Sequence, residues 1–178
     1  GYWQGKLAGS GTVVWEARKL FAEGEIDEEQ FFQLVADATP SPGHCNTMGT
    51  ASTMNSLAEA LGMSLPGNAA IPAPHKQRAA SAYETGRQIV AMVIQDLTPS
   101  RILTREAFEN AITTVIALEG SPTAVLHLLA IARAAGIPLT SDDFSRIGER
   151  VPVLADMRPS GQYAMSDLIE IGGIQPLM

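Results

Sequence analysis

Cys45, the only cysteine of the 178-residue sequence, has the clearest capacity for chemistry. It follows a Pro/Gly-rich turn at residues 40–43 and precedes a stretch in which apolar residues recur at helical spacing. A thiol at the N-terminus of a helix loses its proton more easily, because free backbone N–H groups and the positive end of the helix dipole favour an anion. We therefore predict that Cys45 lies at the exposed edge of a helix, as a metal-binding or reactive sulfur.

The helix after Cys45 is the element that would hold this sulfur in place. Asn46 or Thr47 can serve as its N-cap. Its apolar residues Met54, Leu57, Ala58 and Leu61 keep helical spacing on one buried face. On position alone the common alternative is a cysteine that packs as a small buried apolar residue.

Two runs around Cys45 are long enough to be specific: GHCNTMGTASTM at residues 43–54 and EALGMSLPG at residues 59–67. They resemble the cluster-binding segment of the iron–sulfur dihydroxy-acid and sugar-acid dehydratases. The similarity continues through residues 71–73, 86–87, 96–108 and 158–161, so it covers essentially the whole chain. Within that family the sequence is most similar to the L-arabinonate (pentonate) dehydratase branch, which acts on aldonic acids.

The resemblance implies a lyase that removes water from a sugar acid and yields a 2-keto-3-deoxy acid. Such a reaction needs a Lewis acid for the departing hydroxyl, a base for the proton beside the carboxylate, and positive charge for the enediolate. In the family these are an iron of a [2Fe–2S] cluster held by three cysteines, a serine alkoxide and a magnesium ion. Cys45 matches the last of the three cysteines, so the resemblance makes it the cluster-binding residue and an iron ligand.

The other ligands and the base are expected outside residues 1–178. One thiolate cannot hold such a cluster, because iron–sulfur centres need several protein ligands. We therefore predict no catalytic residue in this chain, no cofactor bound by it alone, and no activity without the remainder of the enzyme. One departure from the family occurs at residues 119–124, which read EGSPTA where the family usually has Gly-Gly-Ser-Thr-Asn-Ala.

The remaining polar candidates are weaker. His44 is adjacent to Cys45, and we predict that it positions its neighbour rather than binding a metal. His75 is predicted on a surface loop and His127 on a helix, and neither is given a role. Asp156 and Arg158 could face substrate, although an ion pair or a cap at the end of a strand explains them equally well.

Composition excludes several functional classes. A hydrophobic content of 46% supports a folded domain, and a formal net charge of −7 without a basic stripe argues against nucleic acid. The longest dense apolar run is too short for a bilayer, so we predict a soluble cytoplasmic protein without membrane contact. A single cysteine rules out an internal disulfide. The chain lacks an initial methionine, and we expect both ends to continue into a longer polypeptide.

The sequence predicts an α/β fold that is predominantly helical in this fragment. Helices are expected to end at Gly24, to start at Asp27, Thr104, Pro122 and Thr140, and to cover residues 78–94. The first two are expected as scaffold, and those at 78–94 and from Thr104 and Pro122 as core elements. Residues 151–155 form the one convincing strand, and residues 1–12 are expected to be irregular, either near a site or as a frayed end. We interpret residues 1–178 as a single partial domain within a larger N-terminal domain that contains a parallel sheet.

Two other functions remain open at this stage. The chain could be a non-catalytic helical binding or assembly module derived from the family, and the departure at residues 119–124 favours this. It could also be a thiol enzyme that uses Cys45 with His44, although adjacent residues seldom give nucleophile–base geometry. For the leading hypothesis the partners are a small sugar acid, the remainder of the enzyme and, at full length, further copies of the protein in a homo-oligomer.

Overall fold

The computed structural model describes residues 2–3 and 6–178, and most of that chain is helical. Three short 3-10 turns lie at Asn68–Ala70, Met165–Ile171 and Gln175–Leu177. No helix of the described residues combines the length and apolarity needed to cross a membrane. The α-helices are α1 (Ser10–Ala22), α2 (Glu28–Ala38), α3 (Thr50–Ala60), α4 (Gln77–Ile94), α5 (Pro99–Ile102), α6 (Arg105–Ala117), α7 (Thr123–Ala134) and α8 (Ser141–Gly148).

Extended structure is minor. Two short strands, β1 (Tyr2–Trp3) and β2 (Lys6–Leu7), pair antiparallel, so this part of the N-terminal segment is more regular than predicted. Gly1, Gln4 and Gly5 lie outside the described residues. The predominantly helical character is confirmed. No parallel sheet occurs among the described residues, and that part of the fold remains a prediction.

The predicted strand at residues 151–155 was wrong. The backbone N–H groups of Leu154 and Ala155 both donate to the Ala117 carbonyl at the end of α6, at 2.9 and 3.1 Å. The segment is not a strand, because these hydrogen bonds go to a helix end and not to a neighbouring strand. An apolar run of five residues therefore does not distinguish a buried strand from an extended connection.

The helix starts follow capping chemistry. Asp27 Oδ1 accepts from the Gln30 backbone N–H at 2.8 Å while Gln30 Oε1 accepts from the Asp27 N–H at 2.9 Å, which closes the predicted capping box of α2. A second box forms at Thr140 before α8, and Thr104 caps α6. These side chains satisfy backbone donors that the first helical turn leaves free.

The larger apolar core lies between α3, α6, α7 and α8. Burying each of its large side chains contributes about 1.5–3 kcal/mol relative to exposure. α3 and α6 pack closely, so the helix that follows Cys45 is anchored over its C-terminal half. The fully buried residues of this core include Leu57, Phe108, Ile112, Leu128 and Ile147.

A second, smaller core lies under the segment that precedes α3. Met48 from that segment packs with Leu118 at the end of α6 and with Met157, Met165 and Ile174 from the C-terminal part of the chain. The side chains of Met157 and Ile174 are fully buried. The last 25 or so residues therefore pack against the segment that contains Cys45, although they contain little regular structure.

α4 does not behave as the predicted core helix. None of its 18 residues is buried within the part of the chain that the structure describes. Its apolar residues keep helical spacing, as predicted, but Val93 and Ile94 are 75% and 80% exposed. Periodicity identifies an apolar face and does not say what covers it.

A cluster of four charged side chains joins α6 to α8. Asp143 receives hydrogen bonds from both Arg105 and Arg146, and Glu109 accepts from the same two arginines at 3.1 and 2.9 Å. The Arg105 guanidinium, followed by the Thr140 backbone N–H, holds the pKa of Asp143 well below its usual range. Asp143 therefore caps α8 and pairs with α6 at the same time.

We predict that Asp143→Asn destabilises the protein by roughly 1–2 kcal/mol at pH 7, because it removes an ion pair and weakens a cap. The folded pKa of Asp143 is depressed, so its stabilisation is present above about pH 4 and is lost as the pH falls through the folded pKa. Chemical denaturation at pH 7 and pH 3 measures the free energy of unfolding. The difference in that free energy between wild type and variant should be smaller at pH 3. Asp142→Asn, in the same helical turn, serves as the control, and an equal loss there would contradict the prediction.

Candidate functional site

Cys45 lies in a cleft with a volume of about 440 Å³. The cleft is formed by residues 38–46, which precede α3, and residues 69–74, which follow it. Ser10, Asn55, Arg78, Met165 and Ser166 complete its lining. The Cys45 side chain is partly buried and is not enclosed among aliphatic residues, so the alternative of an inert buried cysteine does not apply.

The helix N-terminus beside the sulfur belongs to α1, not to α3. α3 begins at Thr50 with Gly49 as its N-cap, so the predicted caps Asn46 and Thr47 were wrong. Gly9, the N-cap of α1, comes so close that a Cβ there would lie 3.5 Å from the Cys45 sulfur and 2.6 Å from Thr47 Cγ2. A glycine at this position therefore permits the close approach of α1 to the Cys45 segment.

The environment of the sulfur favours a thiolate near neutral pH. Partial burial raises the pKa of the Cys45 thiol, but hydrogen bonds with the side chains and backbone of Ser10 and Thr47 outweigh it and bring the pKa to about 7. The Thr47 hydroxyl oxygen is 3.2 Å from the sulfur. The predicted lowering of the Cys45 pKa at a helix N-terminus is therefore confirmed, but the helix is α1 and not α3.

Hydrogen bonds to the C-terminal part of the chain fix the Cys45 segment. The Asn46 amide donates to Ser166 Oγ and accepts from the Ser166 backbone N–H, both at 2.8 Å. Its backbone carbonyl accepts from the Met165 N–H at 2.8 Å, and the Met48 N–H donates to the Arg158 carbonyl at 2.7 Å. These bonds join residues more than 100 positions apart in sequence.

The first turns of α3 hold the same segment from the other side. Ser52 and Thr53 are fully buried, and their hydroxyls are bonded. Ser52 Oγ donates to the Thr47 carbonyl at 2.8 Å, while Thr53 Oγ1 accepts from the Ser121 backbone N–H at 2.9 Å. A buried hydroxyl must be hydrogen-bonded, so these two residues specify where both loops lie.

His44 is exposed, and its ring is oriented by contacts with Cys45, Asn55 and, at 3.4 Å, Ser52 Oγ. Its Nδ1 lies 2.8 Å from the Cys45 carbonyl oxygen, and its Nε2 lies 2.9 Å from the Asn55 side-chain nitrogen. A carbonyl can only accept a hydrogen bond, so the contact with Cys45 places a proton on Nδ1. His44 therefore holds the Cys45 peptide, which agrees with a positioning role.

Glu59, near the end of α3, organises the opposite wall of the cleft. Its carboxylate is buried and accepts from the backbone N–H groups of Gly67 and Ala69 at 2.7 and 2.8 Å, and from the Gln175 amide at 2.9 Å. The oxygens of one side chain thus join α3, the loop after it and the C-terminal turn. A buried carboxylate needs such partners, because an unpaired one would be costly.

The other sequence candidates do not line the cleft. His75 lies in the turn before α4, and His127 is half-buried on α7. Asp156 and Arg158 stabilise their own turn: Asp156 Oδ2 accepts from the Gln162 amide at 3.0 Å, and Arg158 Nε donates to the Gln162 carbonyl at 2.7 Å. The Arg158 carbonyl also accepts from the Met48 N–H, in the segment between Cys45 and α3.

Cys45 has no companion ligands among the described residues. No group of three or more His, Cys, Asp or Glu side chains there could hold a metal ion. One partly exposed thiol with a pKa of about 7 suits a single thiolate ligand, and the chain provides no second cysteine. The donor set therefore fits one corner of a metal centre whose other ligands come from elsewhere, and iron binding by Cys45 stays a prediction.

Sequence analysis missed three residues of this site: Ser10, Asn55 and Glu59. The hydroxyl of Ser10 reaches the sulfur from 35 positions away, and no local pattern signals that contact. Asn55 and Glu59 lie among the polar residues of a predicted helix, and nothing in the helical pattern distinguishes them from solvent-exposed residues. A carboxylate one position away from the apolar series of α3, next to a loop rich in Gly and Pro, is the only signal that Glu59 carried.

Residues 3–178 match the protein family described as dihydroxy-acid/6-phosphogluconate dehydratase, N-terminal. D-xylonate dehydratase of Caulobacter vibrioides is 50% identical over 97% of this chain, and dihydroxy-acid dehydratase of Methylococcus capsulatus is 51% identical over 93%. The chain spans only 29% of the length of each of these relatives.

We predict that Ser10→Ala raises the pKa of Cys45 by about one unit, because it removes a donor to the thiolate. The pH dependence of iodoacetamide alkylation, measured on metal-free protein, reports this pKa. Ser41→Ala removes a hydroxyl from the same cleft that does not bond to the sulfur, and it should leave the profile in place. An unchanged profile for Ser10→Ala would show that the Ser10 hydroxyl does not lower the pKa of the Cys45 thiol.

We also predict that Glu59→Gln lowers the free energy of unfolding by roughly 1–3 kcal/mol, because an amide nitrogen replaces one of two oxygens that face donors. Hydrogen exchange should accelerate at Gly67 and Ala69 before it does so in the core between α3 and α6. The control Glu16→Gln changes an exposed carboxylate on α1. Equal stability of the two variants would contradict an anchoring role for Glu59.

Proposed function

Because the chain belongs to the dihydroxy-acid/6-phosphogluconate dehydratase N-terminal family, we propose that it is part of a [2Fe–2S]-dependent hydro-lyase. The proposed reaction dehydrates an aldonic acid to a 2-keto-3-deoxy acid. The observation that carries the proposal is the partly exposed Cys45 thiol with its pKa of about 7, at a cleft in a chain whose relatives are dehydratases.

Cys45 is proposed as one thiolate ligand of the cluster. When bound, the cluster would supply a Lewis-acidic iron for the departing hydroxyl, and a magnesium ion would hold the acid end of the substrate. Ser10 and Thr47 donate hydrogen bonds to the sulfur and stabilise its anionic form. Hydrogen bonds to a ligating sulfur also tune the reduction potential of such a centre.

The other residues of the cleft hold the Cys45 segment in place and form the walls around the sulfur. His44 holds the Cys45 peptide through its Nδ1 proton, and Asn55 holds the imidazole. The Asn46 bonds to Ser166 keep the sulfur at a fixed place in the cleft. None of these groups is proposed as the base, which in the family resemblance is a serine outside residues 1–178.

The aldonate branch rests on the sequence resemblance. The relatives do not separate the branches, because a D-xylonate dehydratase and a dihydroxy-acid dehydratase are equally similar to this chain. The aldonate assignment and the cytoplasmic location are therefore parts of the proposal, as is assembly of the full-length protein into a homo-oligomer.

The alternative is a non-catalytic assembly module, and residues 119–124 are the observation that favours it. In the structure this departure is accommodated: Pro122 is the N-cap of α7, and the Ser121 N–H still bonds to Thr53. The Thr123 hydroxyl contacts Thr50 at 3.0 Å. Residues 119–124 therefore contact α3 through Ser121 and Thr123, and these contacts do not by themselves favour the assembly module over the enzyme.

We predict that Cys45→Ser in the full-length protein abolishes the visible absorbance of the cluster and 2-keto acid formation from aldonates. A serine hydroxyl is a poor ligand for iron in a centre of this kind, and an open coordination position would destabilise the cluster. Iron and acid-labile sulfide are assayed beside absorbance, and substrates include both aldonates and branched dihydroxy acids.

The control Met63→Gln replaces an exposed sulfur-bearing residue just beyond α3 and should retain cluster and activity. If Cys45→Ser retained both, the ligand assignment would be wrong. A full-length wild-type protein that folds but binds no iron and turns over neither substrate class would support the assembly module. Turnover of branched dihydroxy acids alone would assign the protein to the dihydroxy-acid dehydratases and not to the aldonate branch.

A further inference from the structure

The cleft that holds Cys45 also contains one permanent positive charge that the proposed function does not use. Arg78, in the first turn of α4, is half-buried and lines this cleft. No aspartate or glutamate of the described residues lines it, although the sequence has 19 acidic and only 12 basic residues. An acidic chain therefore presents to this cleft a cation without a carboxylate, which favours an anionic ligand.

Arg78 differs from the arginines that stabilise the fold, because its guanidinium meets no carboxylate. Three other arginines form ion pairs with acidic side chains: Arg87, Arg105 and Arg146. Arg78 forms no such pair within the part of the chain that the structure describes. The buried carboxylate of Glu59, in the same wall, bonds to two backbone N–H groups and a glutamine amide instead. A partly buried charge without a counter-ion is costly, so a bound anion would stabilise Arg78.

The guanidinium of Arg78 is held in place by two neutral oxygen atoms. Its Nη1 donates to Asn68 Oδ1 at 2.8 Å, and its Nη2 donates to the Ile71 carbonyl. The Asn68 side chain is fixed in turn, because Ser81 Oγ donates to the same oxygen and Asn68 Nδ2 donates to Ser64 Oγ, both at 2.8 Å. A guanidinium has five N–H donors and the described contacts use two, so three remain on a group whose plane is already set.

The chemistry of these donors selects a carboxylate. A planar set of charged N–H groups matches the two oxygens of a carboxylate, and such hydrogen bonds are about twice as strong as neutral ones. Hydroxyl groups can accept from a guanidinium but do not neutralise its charge. The relatives described above are named for the dehydration of acids, D-xylonate in one case and dihydroxy acids in the other. A carboxylate is thus common to both substrate classes.

We propose that Arg78 is a substrate-binding residue, whose guanidinium binds the carboxylate of the acid that enters the Cys45 cleft. The identity of that acid rests on the proposed function, whereas carboxylate binding at Arg78 does not require the cluster. A carboxylate has about four lone-pair sites on its two oxygens, so it can accept from Arg78 and also bind the proposed magnesium ion.

The first test measures binding of the acid without cluster or turnover. Metal-free full-length protein is titrated in a calorimeter with D-xylonate and with xylitol, which keeps the hydroxyl groups and lacks the carboxylate. We expect xylitol to bind at least about tenfold more weakly, because the charge-assisted hydrogen bonds are lost. D-Xylonate should also slow the alkylation of Cys45 by iodoacetamide at constant pH, and this protection places the acid in the cleft.

The second test changes the guanidinium and its surroundings separately. Arg78→Met should raise the Kd for D-xylonate by about ten- to a hundredfold and remove the protection of Cys45. Arg78→Lys keeps the charge without the planar donors, so its Kd should lie between those of wild type and Arg78→Met. In cluster-loaded enzyme, Arg78→Met should raise KM for the acid.

Two control variants accompany these. Arg87→Met removes an exposed arginine of α4 that does not line the cleft, and it should leave the Kd unchanged. Ser81→Ala removes the second donor to Asn68 Oδ1 but keeps the charge of Arg78, so it loosens the same wall without removing the binding group. It should leave D-xylonate binding nearly unchanged. Circular dichroism reports whether each variant keeps its helical content.

Equal affinity of the wild-type protein for D-xylonate and xylitol would overturn the proposal. So would unchanged D-xylonate binding in Arg78→Met, or an equal loss in Ser81→Ala, which would make Arg78 a support of the wall only. Binding of inorganic phosphate without binding of D-xylonate would also contradict a carboxylate site. If Arg78→Met does not fold, the two ligands on wild type and the Arg78→Lys variant decide.

Iron content and 2-keto acid formation are recorded separately, so the two proposals can fail independently. A protein that binds D-xylonate through Arg78 but contains no cluster would contradict the proposed function and leave this inference in place. An active, cluster-loaded enzyme in which Arg78→Met changes neither Kd nor KM would do the reverse.

Discussion

The structure around the cleft depends on one constraint: α3 buries polar groups, and each must be hydrogen-bonded. Ser52, Thr53 and Glu59 are almost inaccessible to solvent, and their oxygens bond to backbone groups of three different loops. Leaving one such group without a partner costs about 1–3 kcal/mol, so the loops are held at specific positions along the helix. The Cys45 segment, the turn before α7 and the wall at residues 67–70 all take their places from α3.

The Cys45 sulfur is also contacted by a second helix, α1. α3 fixes the path of the chain through Thr47, while α1 supplies the Ser10 donor beside the Cys45 sulfur. The acidity of the thiol therefore depends on donors held by two helices, Thr47 beside α3 and Ser10 on α1. The division matters physically, because α3 is tied into the larger core, whereas the approach of α1 depends on the missing side chain of Gly9. A methyl group at Gly9 would collide with Thr47 Cγ2, and it would therefore disturb both donors.

Local features of the fold could be predicted from the sequence, and distant contacts could not. The capping boxes of α2 and α8 follow from side chains three positions apart, so Asp27 and Thr140 were correct. The strand at residues 151–155 was wrong because its backbone donors find the Ala117 carbonyl, a partner that no local pattern reveals. Ser10 was missed for the same reason. The family resemblance rests on the residue types in the two runs around Cys45, at 43–54 and 59–67. Helical periodicity alone would not have identified the family.

The cleft wall and α4 are joined by hydrogen bonds from two α4 side chains, Arg78 and Ser81. Arg78, in the first turn of α4, donates to Asn68 Oδ1 at 2.8 Å and to the Ile71 carbonyl, and Ser81 donates to the same Asn68 oxygen at 2.8 Å. Residues 69 and 70 lie directly on the cleft and are themselves held by Glu59. The N-terminal end of α4 and the cleft wall thus form one hydrogen-bonded unit. Because ordering that helix restricts Arg78, any contact that immobilises α4 also lowers the conformational freedom of the wall opposite Cys45.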